Sequence, residues 1–376
     1  MTDNKAGIGH ISEAKIGEYP LLTVDLGKLG ENIRKVTGLC KEHGIDVAGI
    51  VKGVNGVPSI MKEYDKSGVC MIGSSRTDQL RDIKKLGLQK ATLLIRTPLL
   101  SEAGEVVKYA DYSLNSENEV LRALNEKALE IGKVHKVILM AEMGDLREGY
   151  WGMHDLIEAA LLVENELDGL YLAGIGMNVG CYGSILPTKE KMDEFVGLAE
   201  AVEKEIGRKL DVISGGATSS LLLVKEGIMP ERVNHLRIGE AMLLAYDTNR
   251  AMKFDDLNAD VFRVSGEVIE AKLKPTCPIG EKGKDAFANE QVYVDRGLRR
   301  RALVAMGKVD YGSESDIFPV QEGIEVIGAS SDHTLIDIED APEDIKVGDM
   351  IDFRIDYVSM VYITQSRNVK IRFIGQ

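Results

Sequence analysis

Eight short apolar segments alternate with longer amphipathic ones between residues 47 and 244, and this rhythm constrains the fold more than any other feature. The apolar segments are VAGIVK (47–52), CMIGSS (70–75), ATLLIR (91–96), YADYSLN (109–115), KVILMAEM (136–143), LAGIGMNV (172–179), DVISGGAT (211–218) and LRIGEAMLL (236–244). Near-continuous apolar strands separated by helices are typical of a covered parallel sheet. Eight such units in about 200 residues predict a (β/α)8 TIM barrel. A doubly wound open sheet is the alternative, although it would more naturally use five or six strands.

The rhythm changes after about residue 253, where short β-branched segments are divided by Gly, Asp and Pro. These segments are VFRVSGEVIEAKL, QVYVDRG, RRALVAMG, GIEVIGASSDHTLIDI, DMIDFRIDY and SMVYITQSRNVKIRFI. They predict a C-terminal antiparallel β domain. The α/β chain would then comprise an N-terminal extension (1–18), a barrel domain with a leading strand and helix (19–252), and the β domain (253–376). The leading strand, LLTVDL (21–26), could pair with the β domain.

Composition limits the classes of function that the chain can have. The 376 residues include 46 Lys and Arg and 60 Asp and Glu, a formal net charge of −14, which disfavours nucleic acid or membrane partners. The polar first residues and the lack of an uncharged apolar run of 18 residues lead us to expect neither a signal peptide nor a transmembrane helix. The four cysteines form no CxxC pair and the six histidines no HExxH motif, so we expect no disulfide framework, no metal site and a cytoplasmic location.

Polar residues that close the barrel strands are the candidates for chemistry, because a TIM barrel carries its active site at the carboxyl ends of its strands. Lys52 ends the first barrel strand, directly after VAGIV. A lone lysine is usually a solvated surface residue. At the top of a buried strand, however, desolvation lowers the pKa of the amine, as attack on a carbonyl carbon and imine formation require.

The seventh barrel strand ends in SGGATSS (214–220), at the start of a helix. Two glycines followed by hydroxyl residues can supply backbone N–H groups and a helix N-terminus for a phosphate, with Ser214, Gly215, Thr218 and Ser219 as candidates. An ordinary loop with a helix cap explains the pattern equally well. Phosphate sites recur after this strand in TIM barrels, so a phosphate-binding loop and an ordinary capped loop are equally well supported.

Two arginines are candidates for anionic or ring groups. Arg237 shares a face of the eighth strand with Gly239, and an inward arginine needs a partner; a structural ion pair with Glu240 is the alternative. Arg147, in EMGDLREGY (142–150), has the planar fork that matches a carboxylate. Taken singly, a surface ion pair with Asp145 or Glu148 accounts for Arg147 as well.

Near the end of the sixth strand lie Asn178 and Cys181. By itself Cys181 is more typical of a buried small hydrophobe than of a reactive thiol. Together, an imine-forming lysine, a phosphate-binding loop and arginines for a ring or carboxylate predict pyridoxal 5'-phosphate as the cofactor. The position of these residues at the strand ends carries this prediction.

The order VK…MGDLREGY…GGATSS…LRIGEAM resembles the alanine-racemase fold, that of the fold-type III pyridoxal-phosphate enzymes. Within that family, GDLREGY, GCYG, VISGG, LRIGEAMLL, CPIGE followed by DAF, and GASSDH are similar to the ornithine racemases of amino-acid-fermenting bacteria. The resemblance runs from about residue 19 to the C-terminus and so covers both predicted domains.

The resemblance implies a role for each matching residue. Lys52 would be the Schiff-base lysine and the base on one face of the external aldimine, and Arg237 would bind the pyridine nitrogen. Arg147 would lie near the phenolic oxygen and the substrate carboxylate, and Asn178 stands where alanine racemases stack a histidine on the ring. The implied phosphate contacts are Thr218, Ser219, Gly239 and Tyr357.

The second catalytic base departs from the family pattern. Where alanine racemases have G-Y-A-D, this chain has Gly307-Lys308-Val309-Asp310, with Tyr311 displaced. Protonation on the face opposite Lys52 then needs another group, and the candidates are Cys181, Asp332, His333 and Lys308. The segment GASSDHTLIDI resembles the one that reaches into the partner subunit's site, which implies that Ser331 and Asp332 act in trans in a homodimer.

The implied function is racemisation of an amino acid by deprotonation and reprotonation at Cα. Arg237 leaves the pyridine neutral, a weaker electron sink, and this favours racemisation over decarboxylation. Asp332 could pair with a distal ammonium, which suggests a basic substrate such as ornithine or lysine; alternatively Asp332 only orients its loop. The other functions considered are a racemase of alanine, serine or broad specificity, a non-catalytic pyridoxal-phosphate-binding protein, and an aldolase-like barrel enzyme without the cofactor.

Overall fold

The computed structural model describes residues 18–284, 287–288, 290 and 292–375. Its contacts divide it into two compact units: a barrel unit, Leu26–Val261, and a β unit, which combines the chain up to Asp25 with Phe262–Ile374. The predicted boundary at 252/253 thus differs from the contact boundary at 261/262. The exact division into domains stays a prediction, and most of the predicted N-terminal extension lies outside the described residues.

The barrel unit is built on a closed parallel barrel of eight strands that follow one another in chain order. Counting from β1 (Leu21–Asp25), which belongs to the β unit, its strands are β2 (Asp46–Ile50), β3 (Met71–Ser74), β4 (Ala91–Leu94), β5 (Tyr112–Asn115), β6 (His135–Ala141), β7 (Leu170–Met177), β8 (Val212–Ser214) and β9 (His235–Ile238). Pairing of β9 with β2 closes the ring. The predicted TIM barrel is confirmed, and the doubly wound alternative is wrong.

Helices connect the strands of the barrel unit. They are α1 (Leu26–Glu42), α2 (Pro58–Lys66), α3 (Thr77–Lys85), α4 (Ala103–Tyr109), α5 (Asn118–Glu130), α6 (Met153–Glu166), α7 (Lys189–Ile206), α8 (Leu221–Lys225) and α9 (Glu240–Leu244). Local signals set the ends of α7: the Thr188 side chain accepts a hydrogen bond from Lys191 N, and Gly207 ends the helix with a left-handed φ of 75°. Two short strands, β10 (Tyr246–Asp247) and β11 (Met252–Lys253), form a small ribbon after α9.

Apolar side chains fill the middle of the barrel. Ile50, Leu93, Leu114 and Ile138 belong to one buried cluster contributed by strands around the ring. A barrel of eight strands has just enough interior for such side chains, so its centre is a packed core. Polar chemistry is therefore left to the rim, where the strands end.

The β unit contains the remaining strands in one eight-stranded sheet together with β1. These strands are β12 (Phe262–Pro275), β13 (Leu298–Val304), β14 (Ile317–Pro319), β15 (Glu325–Ala329), β16 (Thr334–Asp337), β17 (Met350–Ile355) and β18 (Lys370–Ile374), joined by helices α10 (Lys308–Tyr311) and α11 (Tyr357–Ile363). The main path of the sheet runs β14-β17-β12-β13-β16-β15. The predicted C-terminal antiparallel sheet is confirmed, with one exception: β1 pairs antiparallel with β12 but parallel with β18.

Two strand predictions in this unit are wrong. Residues 292–297 of QVYVDRG form no strand; they are exposed, so their alternation buries no face. The segment at 357–363 is helix α11 and not a strand. The Asp356 side chain caps it by accepting from Ser359 N at 3.1 Å, and Met360 and Ile363, spaced as on one helix face, are buried. Of the DAF segment, residues 285 and 286 lie outside the described residues.

None of the helices in the described part of the chain is both long and apolar enough to cross a bilayer.

Candidate active site

Lys52 lies at the carboxyl end of β2, where the chain leaves the barrel wall. It opens a single 3-10 turn, Lys52–Val54, which ends at Asn55 with a left-handed φ of 49°. The Asn55 side chain accepts a hydrogen bond from Gln79 Nε2 at 3.0 Å, and Gln79 Oε1 accepts from Ser74 Oγ at 2.6 Å. Residues from the end of β3 and from α3 therefore brace the turn that carries the lysine.

The surroundings of Lys52 favour its neutral amine. Desolvation by the surrounding protein lowers the pKa of Lys52, and the charges of Arg147 and Arg237 lower it further, against opposing contributions from Cys181 and Glu148. The side chain nevertheless keeps solvent-accessible surface. A lysine that is both desolvated and reachable has the properties required for attack on an aldehyde.

Arg237 lies inside the rim, only 5% exposed. Its Nη2 donates to the carbonyl oxygen of Met177 at 2.6 Å, and its Nη1 donates to Ser214 Oγ. These contacts join β9 to the ends of β7 and β8. Burial lowers the pKa of Arg237 to about 10, so the guanidinium remains charged at neutral pH.

Ser214 connects Arg237 to a buried histidine. Its Oγ lies 2.8 Å from Nδ1 of His235, which is 2% exposed. A guanidinium can only donate, so Ser214 Oγ accepts from Arg237. The donor in the contact between Ser214 and His235 is set by the tautomer of the imidazole. Burial, and then the charge of Arg237, lower the pKa of His235 to about 3, so this histidine stays neutral.

These contacts change the interpretation of the SGGATSS segment. The Ser214 hydroxyl is used within β8, and Gly215 N donates to the carbonyl oxygen of His235 at 3.0 Å. The polar groups of Ser214 and Gly215 thus have partners within the barrel wall, and their roles in cofactor binding stay predictions. The chain leaves the barrel only at Gly216, whose φ of +110° strongly favours glycine.

The end of the same segment remains compatible with a phosphate. Thr218 and Ser219 lie in a 3-10 turn that leads into α8. The Thr218 hydroxyl oxygen accepts from Ala241 N at 3.3 Å, which joins this turn to the start of α9. Gly239 is the N-cap residue of α9. Thr218, Ser219 and Gly239 thus lie at two neighbouring helix starts of the rim.

The loops after β6 and β7 are fastened together by Asp145, which is fully buried. Its carboxylate accepts from the backbone N–H groups of Gly180, Cys181, Tyr182 and Gly183, at 2.9–3.3 Å. Burial raises the pKa of Asp145, but the four backbone hydrogen bonds outweigh burial and leave it below its usual value. The loop that carries Cys181 is thereby held to the loop that carries Arg147.

Arg147 and Glu148 form an ion pair at this rim. Arg147 Nε and Nη2 donate to the two carboxylate oxygens of Glu148. Within the loop after β7, Asn178 Nδ2 lies 3.0 Å from the Cys181 sulfur. The structure thus brings Lys52, Arg147, Cys181 and Arg237 together, with Glu148 among them.

The other candidates lie in the β unit. Lys308 N donates to the carbonyl oxygen of Ser330, and Val309 N donates to that of Ser331, so the turn at 307–310 packs on the loop that contains Asp332 and His333. The Lys308 amine pairs with Glu314 at 2.9 Å. Tyr357 is the first residue of α11. Their roles stay predictions.

Sequence reasoning did not select three residues near the site: Asp145 and Glu148 in the rim loop after β6, and His235, the first residue of β9. The first two were considered only as possible surface partners of Arg147. No motif marks His235, although its position two residues before Arg237 places both side chains on one face of β9.

The fold and the lysine-centred rim define a TIM-barrel enzyme with an appended β unit. Residues 24–247 match the family model described as alanine racemase, N-terminal domain, and the chain belongs to this family.

Two relatives are similar over most of the chain. The ornithine racemase of Acetoanaerobium sticklandii is 39% identical over 343 residues, which cover 91% of this chain and 96% of that protein. The lysine racemase of Thermotoga maritima is 38% identical over 339 residues, covering 90% and 94%. Among solved structures, the alanine racemase of Clostridium difficile 630 has a TM-score of 0.74 at 18% identity and covers 96% of this chain and 97% of its own, a likeness of fold.

Proposed function

We propose that this protein is a pyridoxal-phosphate-dependent racemase of a basic amino acid such as ornithine or lysine. The observation that carries the proposal is the accessible Lys52 amine at the carboxyl rim of the barrel, whose pKa is lowered by desolvation and by the charges of Arg147 and Arg237. Similarity to an ornithine racemase and a lysine racemase over nine-tenths of the chain supports both the reaction and the class of substrate.

The residues of the rim fit pyridoxal phosphate. Lys52 offers an amine for the aldehyde carbon, and Arg237 offers a fixed cation for the pyridine nitrogen. Thr218, Ser219 and Gly239, at the starts of two helices, would hold the phosphate. The role of Tyr357 as a further phosphate contact stays a prediction. When bound, the cofactor withdraws electrons from Cα of the amino acid and so makes the Cα proton removable.

The chain's own residues then control the proton and the outcome. Lys52 Nζ would take the proton from one face of Cα and return it there. Arg237 keeps its own proton at neutral pH, so it cannot protonate the ring fully, and the weaker electron withdrawal favours reprotonation at Cα over loss of carbon dioxide. Arg147 would bind the substrate carboxylate with its planar fork.

Racemisation needs a second group on the opposite face of Cα. Cys181 is the candidate from the barrel unit, because its loop is held to the loop that carries Arg147. Asp332, His333 and Lys308 are the candidates from the β unit, and we propose that they act across a homodimer whose active sites are shared between subunits. All four cysteines are free, which supports the proposal of a cytoplasmic enzyme.

A chiral product assay tests the function. The purified protein, supplied with pyridoxal phosphate, is incubated with L-ornithine or L-lysine, and the D-enantiomer is followed by chiral chromatography. We expect both substrates to approach a racemic mixture, and Lys52→Ala to lower the rate by at least about 10³-fold, since it removes the nucleophile and a base together. Failure of the wild-type protein to form either D-enantiomer would contradict the proposal.

A further inference from the structure

The Arg147–Glu148 pair occupies the binding geometry that a substrate carboxylate requires. Both oxygens of Glu148 accept from the same edge of the guanidinium, Nε and Nη2. This two-point arrangement is how arginine binds carboxylates generally. An incoming α-carboxylate that binds the same edge of Arg147 displaces Glu148.

The pair lies beside the reacting lysine. The charge of Arg147 lowers the pKa of Lys52, and the charge of Glu148 raises the pKa values of both Lys52 and Arg237. The side chains are 38% and 23% exposed, respectively. An unpaired carboxylate this close to the barrel mouth would lose much of its hydration and would need a new cation.

The backbone below the pair is fixed, so only side chains need to move. Glu142 accepts from Leu146 N and Arg147 N at 3.0 Å with its two carboxylate oxygens. Beyond the pair, Tyr150 N donates to the carbonyl oxygen of Met140 at 2.8 Å. Rotation of Glu148 away from Arg147 thus leaves the loop in place.

We propose that Glu148 determines specificity for basic side chains, an inference that rests on the proposed racemase function. A substrate with an α-carboxylate and a distal ammonium replaces one ion pair by two: its carboxylate binds Arg147, and its ammonium binds the released Glu148. A substrate with an uncharged side chain breaks the Arg147–Glu148 pair and leaves Glu148 without a cation. The same residue therefore favours ornithine and lysine and disfavours neutral amino acids.

The test compares L-ornithine with L-norleucine, which has a methyl group in place of the ammonium. The ratio of their kcat/KM values is measured for the wild-type enzyme and for Glu148→Gln, which keeps the shape and removes the charge. We expect the ornithine-to-norleucine ratio to fall by about tenfold or more, as for the loss of a charge-assisted contact. The rate with norleucine should rise or stay unchanged, because Arg147 no longer has an internal competitor.

Glu158→Gln is the matched control. This carboxylate lies on α6, is 62% exposed, and contributes the same charge, so its removal should leave the ratio unchanged. Glu148→Asp, which keeps the charge on a shorter side chain, should retain more of the ratio than Glu148→Gln. Trp151, the single tryptophan of the chain, lies on the same loop and provides a fluorescence signal for binding of the two amino acids.

A ratio that falls by less than about fivefold in Glu148→Gln overturns the inference, as does an equal loss with both substrates. A fall confined to Asp332→Asn, with Glu148→Gln unaffected, overturns it equally and assigns the ammonium to the β unit. Absence of racemisation in the wild-type protein would instead overturn the proposed function, so the two failures are distinguishable.

Discussion

Neighbouring residues fix the orientation of the Arg237 side chain. The guanidinium is buried, and its Nη1 donates to Ser214 Oγ, which lies 2.8 Å from Nδ1 of His235. Arg237 Nη2 also donates to the carbonyl oxygen of Met177 at 2.6 Å, so both terminal nitrogens of the guanidinium have partners in the barrel wall. A cofactor ring nitrogen that binds Arg237 would therefore meet a cation with little freedom to turn.

Ser214→Ala tests this arrangement. The variant leaves a buried guanidinium nitrogen and a buried imidazole nitrogen without their partner, so we expect the affinity for pyridoxal phosphate to fall by about tenfold. The dissociation constant is measured by absorption titration of the cofactor-free protein, together with the free energy of unfolding in urea.

Ser113→Ala is the matched control for that substitution. Ser113, in β5, is also fully buried; it accepts from Asn115 Nδ2 at 2.9 Å and lies 2.8 Å from His135 Nε2. Both variants should lose about 1–3 kcal/mol of unfolding free energy, but only Ser214→Ala should weaken cofactor binding. An equal loss of affinity in both variants would assign Ser214 a purely structural role.

The sequence could indicate Lys52 but not the partners of Arg237. Lys52 follows an apolar run directly, and its position alone places it at the rim. Ser214 begins the SGGATSS motif, which predicts a loop residue available to a cofactor, and the structure places it as the last residue of β8. A one-residue difference in where a strand ends decides whether a hydroxyl points into the barrel or lies in the loop beyond it.

At the rim, a single buried carboxylate, that of Asp145, holds the loop after β6 to the loop after β7. Asp145 accepts from four consecutive backbone N–H groups, at residues 180–183, and this fixes the distance between the Arg147 loop and the Cys181 loop. Within the described residues 142–150, no helix and no strand pairing joins these two loops. We therefore regard Asp145 as a positioning residue.

Asp145→Asn should separate the two loops. Asparagine keeps one acceptor oxygen but turns an amide NH2 toward backbone donors, so we expect about 1–3 kcal/mol less stability and a fall in kcat of tenfold or more. The rate at which iodoacetamide alkylates Cys181 should also change, which a uniform loss of stability would not produce under native conditions. Asp155→Asn, in the first turn of α6, is the control and should alter neither quantity.

The elements differ in how far they could be predicted. The eight barrel strands are buried on both faces, so each is an apolar run that stands out in the sequence. The sequence predicts a strand where helix α11 lies, because SMVYI combines β-branched and aromatic residues. The signal for the helix is its capping residue, Asp356. Residues 292–297 alternate like a strand but bury nothing.

Over the whole molecule, the order of the elements could be predicted, but their long-range pairing only in part. The change of rhythm after the eighth barrel strand predicts a second sheet. That β1, from the start of the chain, pairs with both β12 and β18 depends on contacts between segments more than 200 residues apart, and local patterns specify these weakly. The net charge of −14 gives no information on which strands pair. It also does not predict the charge of the site, because Lys52, Arg147 and Arg237 lie together at the rim.

The assignment of Lys52 as the cofactor-bearing residue is tested most directly by trapping. The protein is loaded with pyridoxal phosphate, reduced with borohydride and digested, and the phosphopyridoxyl group is located by mass spectrometry. We predict that the modified peptide contains Lys52 and that the label is lost in Lys52→Ala. A label on another lysine, or an equal distribution of label over surface lysines, would contradict a racemase site built around Lys52.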